Sequence, residues 1–405
     1  MKKNIVIQFL IFSSTFLSAQ NINIIEEIRN DLKFLCSDEL EGRFTGTNGE
    51  RIAAEYIISN FVEYNLIPIG DSNSFIQKFE AKFRKNPHSD INVELIQGSN
   101  VLGFYNNNAK HTIIIGAHYD HLGYGEVGSL SQDKNQIHNG ADDNASGVSL
   151  MINLIPEIID YKNYNYLFVA FSGEELGLYG STYYAKYPTI DLEKVRFMLN
   201  FDMVGRLNEN RTLLVNGVGT STKWKDLVQE SNIYDFDLKT TLSGFGASDH
   251  TPFYNREIPV LHFFTGQHED YHKPSDDFDK INIEGIYDIS KYVINIIKNS
   301  HEISDFDYVE TQSERKENPS FSVTLGIMPD YLSEEIGLRI DGVSKGKLAS
   351  RIGILKGDII LKMGNVTVTD IMTYMEALSK FKSGDSTTVK VKRNSKNIIF
   401  NVTFD

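Results

Sequence analysis

The sequence has one cysteine, Cys36, among its 405 residues, so no disulfide bond can form within the chain. Cys36 lies in LKFLCSDEL, where apolar residues recur at helical spacing, and this pattern predicts an inert buried thiol rather than a nucleophile. Basic residues are outnumbered: 40 Lys and Arg stand against 54 Asp and Glu, and the formal net charge is -14. Because a polyanion would be repelled over most of such a surface, we expect no nucleic-acid partner.

Long apolar runs are also absent, except at the N-terminus. The first residues, MKKNIVIQFLIFSSTFLSAQ, contain two lysines, an apolar segment and small residues that end at Ala19. This order predicts a secretory signal peptide over residues 1–19. Its apolar segment is shorter than the roughly 20 residues of a membrane-spanning helix, and no cysteine follows closely enough for lipid attachment. We expect an exported protein, periplasmic or secreted, with no membrane span in its mature form.

The pattern of apolar residues predicts two folded parts. Residues 20–65 have helical periodicity, and after residue 110 short apolar strands alternate with amphipathic helices. This alternation predicts an α/β fold over 20–300, a three-layer sandwich with a mostly parallel central sheet. The polar segment 301–320 is predicted as a linker, and 321–405 as a small β-rich domain. The predicted strands are HTIIIGA, YLFVAF, VRFMLNF and PVLHFF, and the predicted helices include SGVSLMINLIPEI and GIYDISKYVINIIKNS.

Charged side chains follow three of the predicted strands, at the point where each strand ends. HYDHLG follows the first strand, GEELG the second and DMVGR the third. Ligands bind at the carboxyl ends of the strands in open α/β sheets, so this pattern predicts one shared site. Imidazole and carboxylate together suit zinc, and also cobalt or manganese, better than calcium or magnesium. The predicted metal ligands are His118, Asp142, Glu175, Asp202 and His272.

The charges of these ligands favour two metal ions. Three carboxylates with two neutral imidazoles are balanced by two divalent ions and one hydroxide. A single ion bound by all five ligands would leave the site negative and without an open position for water. We therefore predict a dinuclear site.

Five segments carry the predicted site in a fixed order: HYDHLG, GADDNASG, SGEELGLYGS, NFDMVG and HKPSDD. They resemble the successive motifs of the M28 family of zinc aminopeptidases, and the earlier LCSDELEGRFTGTNGE resembles that family's lead-in segment. The resemblance covers roughly residues 25 to 300, and the ordered set is more specific than any one motif. It implies that Asp142 bridges two zinc ions, with a cis peptide bond to Asp143. It also implies that His118 and Asp202 complete one metal site, and that Glu175 and His272 complete the other.

The same resemblance implies different roles for the adjacent acids Glu174 and Glu175. Glu175 is predicted to bind metal, and Glu174 to act as the general base that takes a proton from the attacking water and passes it to the leaving amine. Asp120 is predicted to orient His118 and fix the tautomer of its ring.

The remaining histidines of this region are predicted to be structural or exposed. In SDHTPF, Asp249 and His250 are also hypothesised to lie beside the metal ligands or on the substrate side. The predicted structural set is His121, His138, His250, His262 and His268.

Two other hydrolase patterns are excluded. GVSKG, residues 342–346, matches the G-x-S-x-G elbow of serine hydrolases, but that arrangement needs a later histidine and none follows His301. The H-E-x-x-H motif of other zinc hydrolases is absent.

The C-terminal segment contains GKLASRIGILKGDIILKMGN, a predicted helix in DIMTYMEALSKF and a closing hairpin, TTVKVKRNSKNIIFNVTF. It resembles a PDZ domain of the bacterial protease-associated type. The resemblance implies a groove that takes an extended peptide or a C-terminus, with Leu325-Gly326-Ile327 as the amide loop. The alternative is a stabilising domain whose groove is blocked or unused.

The leading hypothesis is an exported dinuclear zinc aminopeptidase that acts on peptides with a free N-terminus and carries a C-terminal PDZ domain. A glutaminyl cyclase or a carboxypeptidase on the same scaffold is the alternative within the resemblance. A peptide-binding adaptor is the alternative outside enzymes, although the presence of Glu174 and all five predicted ligands favours catalysis.

Overall fold

The chain divides into two compact units. The computed structural model describes residues 24–83, 94–133, 135–311, 323–329, 335–343, 346–369 and 371–404, and the predicted signal peptide lies outside these ranges. The first unit comprises the described residues up to Phe83, Glu94–Thr265 and 270–311; the second comprises Gly266–Glu269 and the described residues from Val323 onward.

A nine-stranded sheet forms the centre of the first unit, in the order β1-β3-β5-β4-β6-β9-β7-β8, with β2 paired to β3. The four central strands β5, β4, β6 and β9 are mutually parallel, and β3 and β7 join them in antiparallel fashion. The mostly parallel central sheet is therefore confirmed. The strands are β1 (Ile67–Pro68), β2 (Ile76–Phe83), β3 (Glu94–Tyr105), β4 (Thr112–His118), β5 (Asn165–Phe171), β6 (Val195–Phe201), β7 (Thr212–Asn216), β8 (Asp237–Thr241) and β9 (Val260–Phe264).

Helices cover both faces of this sheet. Every residue of β4 is buried. Its alternate residues Ile113 and Ile115 pack in a core that includes α3 and α7, whereas Ile114 packs with Tyr184 of α4 and Phe253 of α6. None of the helices in the described part of the chain is both long and apolar enough to cross a bilayer. The helices are α1 (24–35), α2 (Asn48–Glu63), α3 (Gly147–Ile158), α4 (Tyr179–Lys186), α5 (Trp224–Glu230), α6 (His250–Tyr254) and α7 (Ile283–Ser300).

The segment predicted as a linker begins as part of the first unit. The Phe306 ring lies 4.6 Å from the ring of Trp224 and 5.2 Å from that of Phe197, and Val309 donates a backbone hydrogen bond to the carbonyl of Thr220. Because the sequence around Phe306 is polar, the packing of this ring on Trp224 and Phe197 was not predicted. Residues 312–320 of the predicted linker lie outside the described residues.

The second unit contains a six-stranded sheet of antiparallel pairs, which agrees with the β-rich domain predicted from the sequence. In the loop Leu325-Gly326-Ile327, the amide of Gly326 donates to the hydroxyl of Thr324 (3.0 Å), and Ile327 pairs with Val343. The elements are β10 (Ile327–Pro329), β11 (Leu338–Val343), α8 (Leu348–Ile352), β12 (Ile359–Met363), β13 (Val366–Thr367), α9 (Ile371–Ser379), β14 (Ser386–Arg393) and β15 (Lys396–Thr403).

Candidate metal centre

The candidate site lies at the carboxyl edge of the central parallel strands, where the sequence predicted it. His118 ends β4, and Asp202 follows β6 directly. Glu174 and Glu175 follow β5 after a glycine with φ of 71°, and His272 lies in the loop after β9. Parallel strands end at the same edge, so segments far apart in sequence supply one cluster of side chains.

One group of potential ligands consists of His118, Asp143 and Asp202, whose ligand atoms all lie within 4.8 Å of one another. His118 Nε2 is 3.3 Å from Asp143 Oδ1 and 3.4 Å from Asp202 Oδ1. His118 and Asp143 are buried, and Asp202 is partly exposed. The structure thus brings together His118 and Asp202 as predicted.

A second group consists of His121, Asp143 and Glu175, again within 4.8 Å. His272 joins it, since its Nε2 is 3.0 Å from Glu175 Oε2 and 3.3 Å from Asp143 Oδ2. His121 Nδ1 is 2.6 Å from Glu175 Oε1, so a histidine predicted to be structural lies inside the cluster. Its position three residues after His118 in HYDHLG, at the same strand end, was the available signal.

Asp142 does not occupy the bridging position that the resemblance implied. Its Oδ1 accepts hydrogen bonds from the amide of Gly205 (2.6 Å) and the hydroxyl of Ser146 (3.1 Å). The carboxylate common to both groups belongs to Asp143. The cis peptide bond correspondingly joins Asp143 to Asn144, not Asp142 to Asp143. Adjacent side chains of this turn point in different directions, and sequence alone did not say which one faces the cluster.

Glu174 lies beside the first group, with its Oε2 4.0 Å from His118 Nε2. Its backbone is fixed by Asp120, whose Oδ1 accepts the Glu174 amide at 3.2 Å. His118 Nδ1 lies 3.2 Å from the backbone carbonyl oxygen of Asp120 and 3.7 Å from Asp120 Oδ1, and Asp120 Oδ2 accepts a hydrogen bond from the hydroxyl of Thr45 at 3.0 Å. Asp120 is fully buried, so these contacts hold both the imidazole and the base in place.

Two further polar side chains orient Asp202. The hydroxyl of Ser248 donates to Asp202 Oδ2 at 2.7 Å, and the amide of Asn200 donates to that hydroxyl at 2.8 Å. Both side chains are buried, so the contact fixes one oxygen of the carboxylate while the other faces His118. Neither residue was predicted from the sequence.

The adjacent glutamates differ in their proton affinity. Burial raises the pKa of Glu174 well above its usual value; His118 opposes this shift, and the charges of Asp202 and Glu175 add to it. Burial acts in the same direction on Glu175, but His272 and His121 lower the pKa of that carboxyl to about 2. Glu174 is therefore suited to take up a proton, and Glu175 to remain ionised as a ligand.

Asp249 interacts electrostatically with His118 and Asp202, and neither Asp249 nor His250 joins either group. Burial, partly opposed by the charge of His118, raises the pKa of Asp249 to about 7. The rings of His250 and His262 stack with centroids 4.7 Å apart, and burial lowers the pKa of His262 to about 4. His138 hydrogen-bonds with Ser129 and lies outside both groups, as a structural histidine would.

The residues of the cluster fit a bound metal. Buried carboxylates packed this closely repel one another unless cations lie among them. The ring of His121 is held by the contact between its Nδ1 and Glu175. Its buried Nε2 has no hydrogen-bond partner among the described residues. Imidazole nitrogens and carboxylate oxygens are the donor set of zinc sites.

The sequence of this chain is similar to known peptidase sequences, in agreement with the geometry of the site. Residues 100–297 match the profile of peptidase family M28, and residues 313–404 match that of the PDZ domain. Aminopeptidase YwaD of Bacillus subtilis (strain 168) is 30% identical over 190 residues, which cover 44% of this chain and 39% of that protein. The matched segment thus spans less than two thirds of that relative's length.

Two solved structures share the fold. BSAP, a zinc aminopeptidase from Bacillus subtilis, aligns with a TM-score of 0.53 and 18% identity over 71% of this chain and 98% of that chain. The glutaminyl cyclase of Porphyromonas gingivalis aligns with a TM-score of 0.55 and 16% identity over 68% of this chain and 98% of that chain. At such identities the likeness concerns the fold.

The paired His/Asp/Glu groups lie on a fold shared with a solved zinc aminopeptidase, and the family match and the aminopeptidase relatives support a metallo-exopeptidase, a class of hydrolase. The segment 100–297 is thus similar to peptidase family M28, and the segment 313–404 is similar to a PDZ domain. The family and enzyme class predicted from the motifs are thereby confirmed.

Proposed function

We propose that this chain is an exported dinuclear zinc aminopeptidase that removes N-terminal residues from peptides. The proposal rests on the position of Asp143 between the two ligand groups. Its Oδ1 lies 3.3 Å from His118 Nε2, and its Oδ2 lies 3.3 Å from His272 Nε2. One carboxylate common to two ligand groups is the arrangement expected of a bridged metal pair. The aminopeptidases among its relatives favour a peptide substrate with a free N-terminus.

The proposed ligands form two sets that share Asp143. His118 and Asp202 would hold one zinc, and Glu175 and His272 would hold the other, with His121 in contact with Glu175. Zinc bound there would polarise the scissile carbonyl and make water a stronger nucleophile at neutral pH.

Glu174 is the proposed general base. Its carboxylate lies next to the cluster, and its raised pKa favours uptake of the proton from the attacking water and its delivery to the leaving amine. Asp120 keeps Glu174 in place by accepting its amide hydrogen and keeps His118 in orientation from the other side of the ring. Proton transfer and metal binding are thereby divided between two neighbouring acids.

The test is hydrolysis of aminoacyl-nitroanilides, unblocked and N-acetylated, by the purified mature chain with zinc or with chelator. We expect chelator-sensitive cleavage of unblocked substrates alone. Glu174→Gln should lower kcat roughly 100- to 10,000-fold with zinc content unchanged. Glu209→Gln, the same change at an exposed position, is the matched control.

Other outcomes of this panel point elsewhere. Ammonia release from a peptide with N-terminal glutamine, without nitroanilide cleavage, would indicate a glutaminyl cyclase. Cleavage from the C-terminus would indicate a carboxypeptidase. If zinc binds but none of these substrates turns over, while peptides bind the second unit, the adaptor alternative replaces the enzyme.

The second unit is proposed to bind an extended peptide or a C-terminus in its PDZ groove. Calorimetric titration with a library of C-terminal peptides tests this assignment, with the same peptides amidated as the control. The chain is also proposed to be exported after cleavage of residues 1–19. N-terminal sequencing of the protein recovered from the periplasm or medium checks that proposal.

A further inference from the structure

The lead-in segment from Asp38 to Glu50 has no role in the proposed chemistry, yet its side chains contact the segments that follow His118, precede Asp143 and precede Glu174. One contact reaches the loop after β4, another the loop before α3 and a third the residue that follows β5. These contacts join Thr45 with Asp120, Asp38 with Asn139, and Glu50 with Ser172.

Arg43 makes the most extensive of these connections. Its side chain is 1% exposed. Nε donates to the carbonyl of Tyr119 at 2.9 Å, one terminal nitrogen to Asn139 at 2.7 Å and to Leu35, and the other to Gly140 at 3.0 Å. One guanidinium group therefore holds the loop that follows His118 and the loop that precedes Asp143.

A buried cation is costly unless hydrogen bonds or counter-charges compensate it. Within the described ranges, Arg43 makes no ion pair; its hydrogen bonds go to four backbone carbonyls. Asp120, Asp143 and Asp276 favour the charged form from a longer distance. Arginine suits this position because its planar fork carries five donors in fixed directions, whereas lysine has a single nitrogen.

The backbone of the same segment adds two bonds to the loop after β4. The carbonyl of Arg43 accepts the amide of His121 (3.2 Å), and that of Gly42 accepts the amide of Gly123 (2.9 Å). Gly42 has φ of 68°, and a Cβ atom there would lie 2.5 Å from the carbonyl oxygen of His138. Only glycine fits this close approach, and it allows Arg43 to enter between the two loops.

We infer that Arg43 is a positioning residue, which holds the loop that follows His118 and contains His121 against the loop that precedes Asp143, so that the ligands of both groups are aligned before metal binds. Preorganised ligands bind metal more tightly because the free chain has less conformational freedom to lose. The inference rests on the proposed function only in so far as the cluster binds zinc.

The test compares zinc affinity in Arg43→Lys and in the wild-type chain by competition with a chromophoric chelator. We expect Arg43→Lys to bind zinc roughly 10- to 100-fold more weakly, the effect typical of groups that orient metal ligands. Arg196→Lys is the matched control. Arg196 is also buried and donates to the backbone carbonyls of Ile303 and Ser304, but it lies at the amino end of β6, away from the cluster. The zinc affinity of Arg196→Lys should stay within about twofold of that of the wild-type chain.

Hydrogen exchange of the zinc-free wild-type chain provides a second test that needs no variant. The amides of His121 and Gly123 should be protected before zinc is added, because their acceptors belong to Gly42 and Arg43. Rapid exchange of both amides without zinc would overturn the inference. So would equal loss of affinity in the two lysine variants, or none in Arg43→Lys. A wild-type chain that binds no zinc would contradict the proposed function instead, and the exchange result would still decide whether the loops are held in advance.

Discussion

Asp143 connects His118 and His272: its Oδ1 lies 3.3 Å from Nε2 of His118, and its Oδ2 lies 3.3 Å from Nε2 of His272. Asp142, one residue earlier, instead accepts the amide of Gly205. Both backbone amides of this acidic pair donate to Asp276 Oδ2 at 3.0 Å, so a buried carboxylate fixes the turn that directs Asp143 toward the cluster.

The pair provides a matched test of the bridging assignment. Asp143→Asn should reduce bound zinc at both positions and abolish hydrolysis, because its carboxylate is the ligand common to both groups. Asp142→Asn should retain most of the zinc, since an amide oxygen still accepts the hydrogen bonds of Gly205 and Ser146. Zinc per chain, measured by mass spectrometry after gel filtration, distinguishes them. Loss of both ions in Asp142→Asn with retention in Asp143→Asn would restore the original assignment.

Removal of the Ser248 hydroxyl should weaken one zinc position. Ser248→Ala leaves one oxygen of Asp202 without its buried donor, and we expect zinc affinity to fall roughly 10-fold or more. Ser221→Ala is the control, because its hydroxyl also donates to a carboxylate, that of Asp307, elsewhere in the first unit. Chelator competition should show the loss in the first variant only; the same affinity in both would contradict a role for Ser248 in orienting Asp202.

Stability should depend on pH through Asp31. Burial, opposed by hydrogen bonds from Tyr56, Asn153 and Ser149, raises the pKa of Asp31 from its usual value to about 7. The folded chain therefore holds this proton more tightly than the unfolded chain. The resulting stabilisation is fully present below the unfolded pKa, roughly 4, and is lost as pH rises through about 7.

Urea unfolding across this pH range measures the effect. The free energy of unfolding should fall with rising pH by an amount on the order of a few kcal/mol attributable to Asp31. Asp31→Asn should remove that part of the slope, whereas Asp160→Asn, at an exposed position, should leave it unchanged. An identical slope in wild type and Asp31→Asn would rule out this assignment.

In the second unit, Asp358→Ala should be destabilising. Asp358 is buried and accepts from Nε of Arg393 at 2.6 Å and from a terminal nitrogen at 2.7 Å. Because Arg393 retains some exposure, we expect a cost of about 2 to 3 kcal/mol, less than for a fully buried pair. Glu335→Ala removes exposed ion pairs with Arg339 and Lys392 and should cost less than about 1 kcal/mol.

Hydrogen exchange of β12 and β14 in the full chain measures the local free energy of opening. Faster exchange of both strands in Asp358→Ala, with little change in Glu335→Ala, is the expected result. Equal effects of the two substitutions would show that the Asp358–Arg393 pair contributes no more to the free energy of opening than the exposed ion pairs of Glu335 do.

Strand positions and ligand types were predictable because they depend on local properties. Continuous apolar runs identified β4, β5, β6 and β9 to within about one residue. The hairpin of β2 and β3 and the anchor at Phe306 were not predicted, since both lie in mixed or polar sequence and depend on contacts with distant residues.

The sequence by itself determined the α/β class, the edge of the sheet at which His118, Glu174, Glu175 and Asp202 lie, and the chemistry suited to a metal. These follow from residue type and periodicity, which do not require knowledge of the fold. Only the tertiary structure decided that Asp143, rather than Asp142, faces the cluster. The direction of a side chain in a tight turn is set by the backbone angles of that turn, and the hydrogen bonds that hold this one come from residues up to 134 positions away.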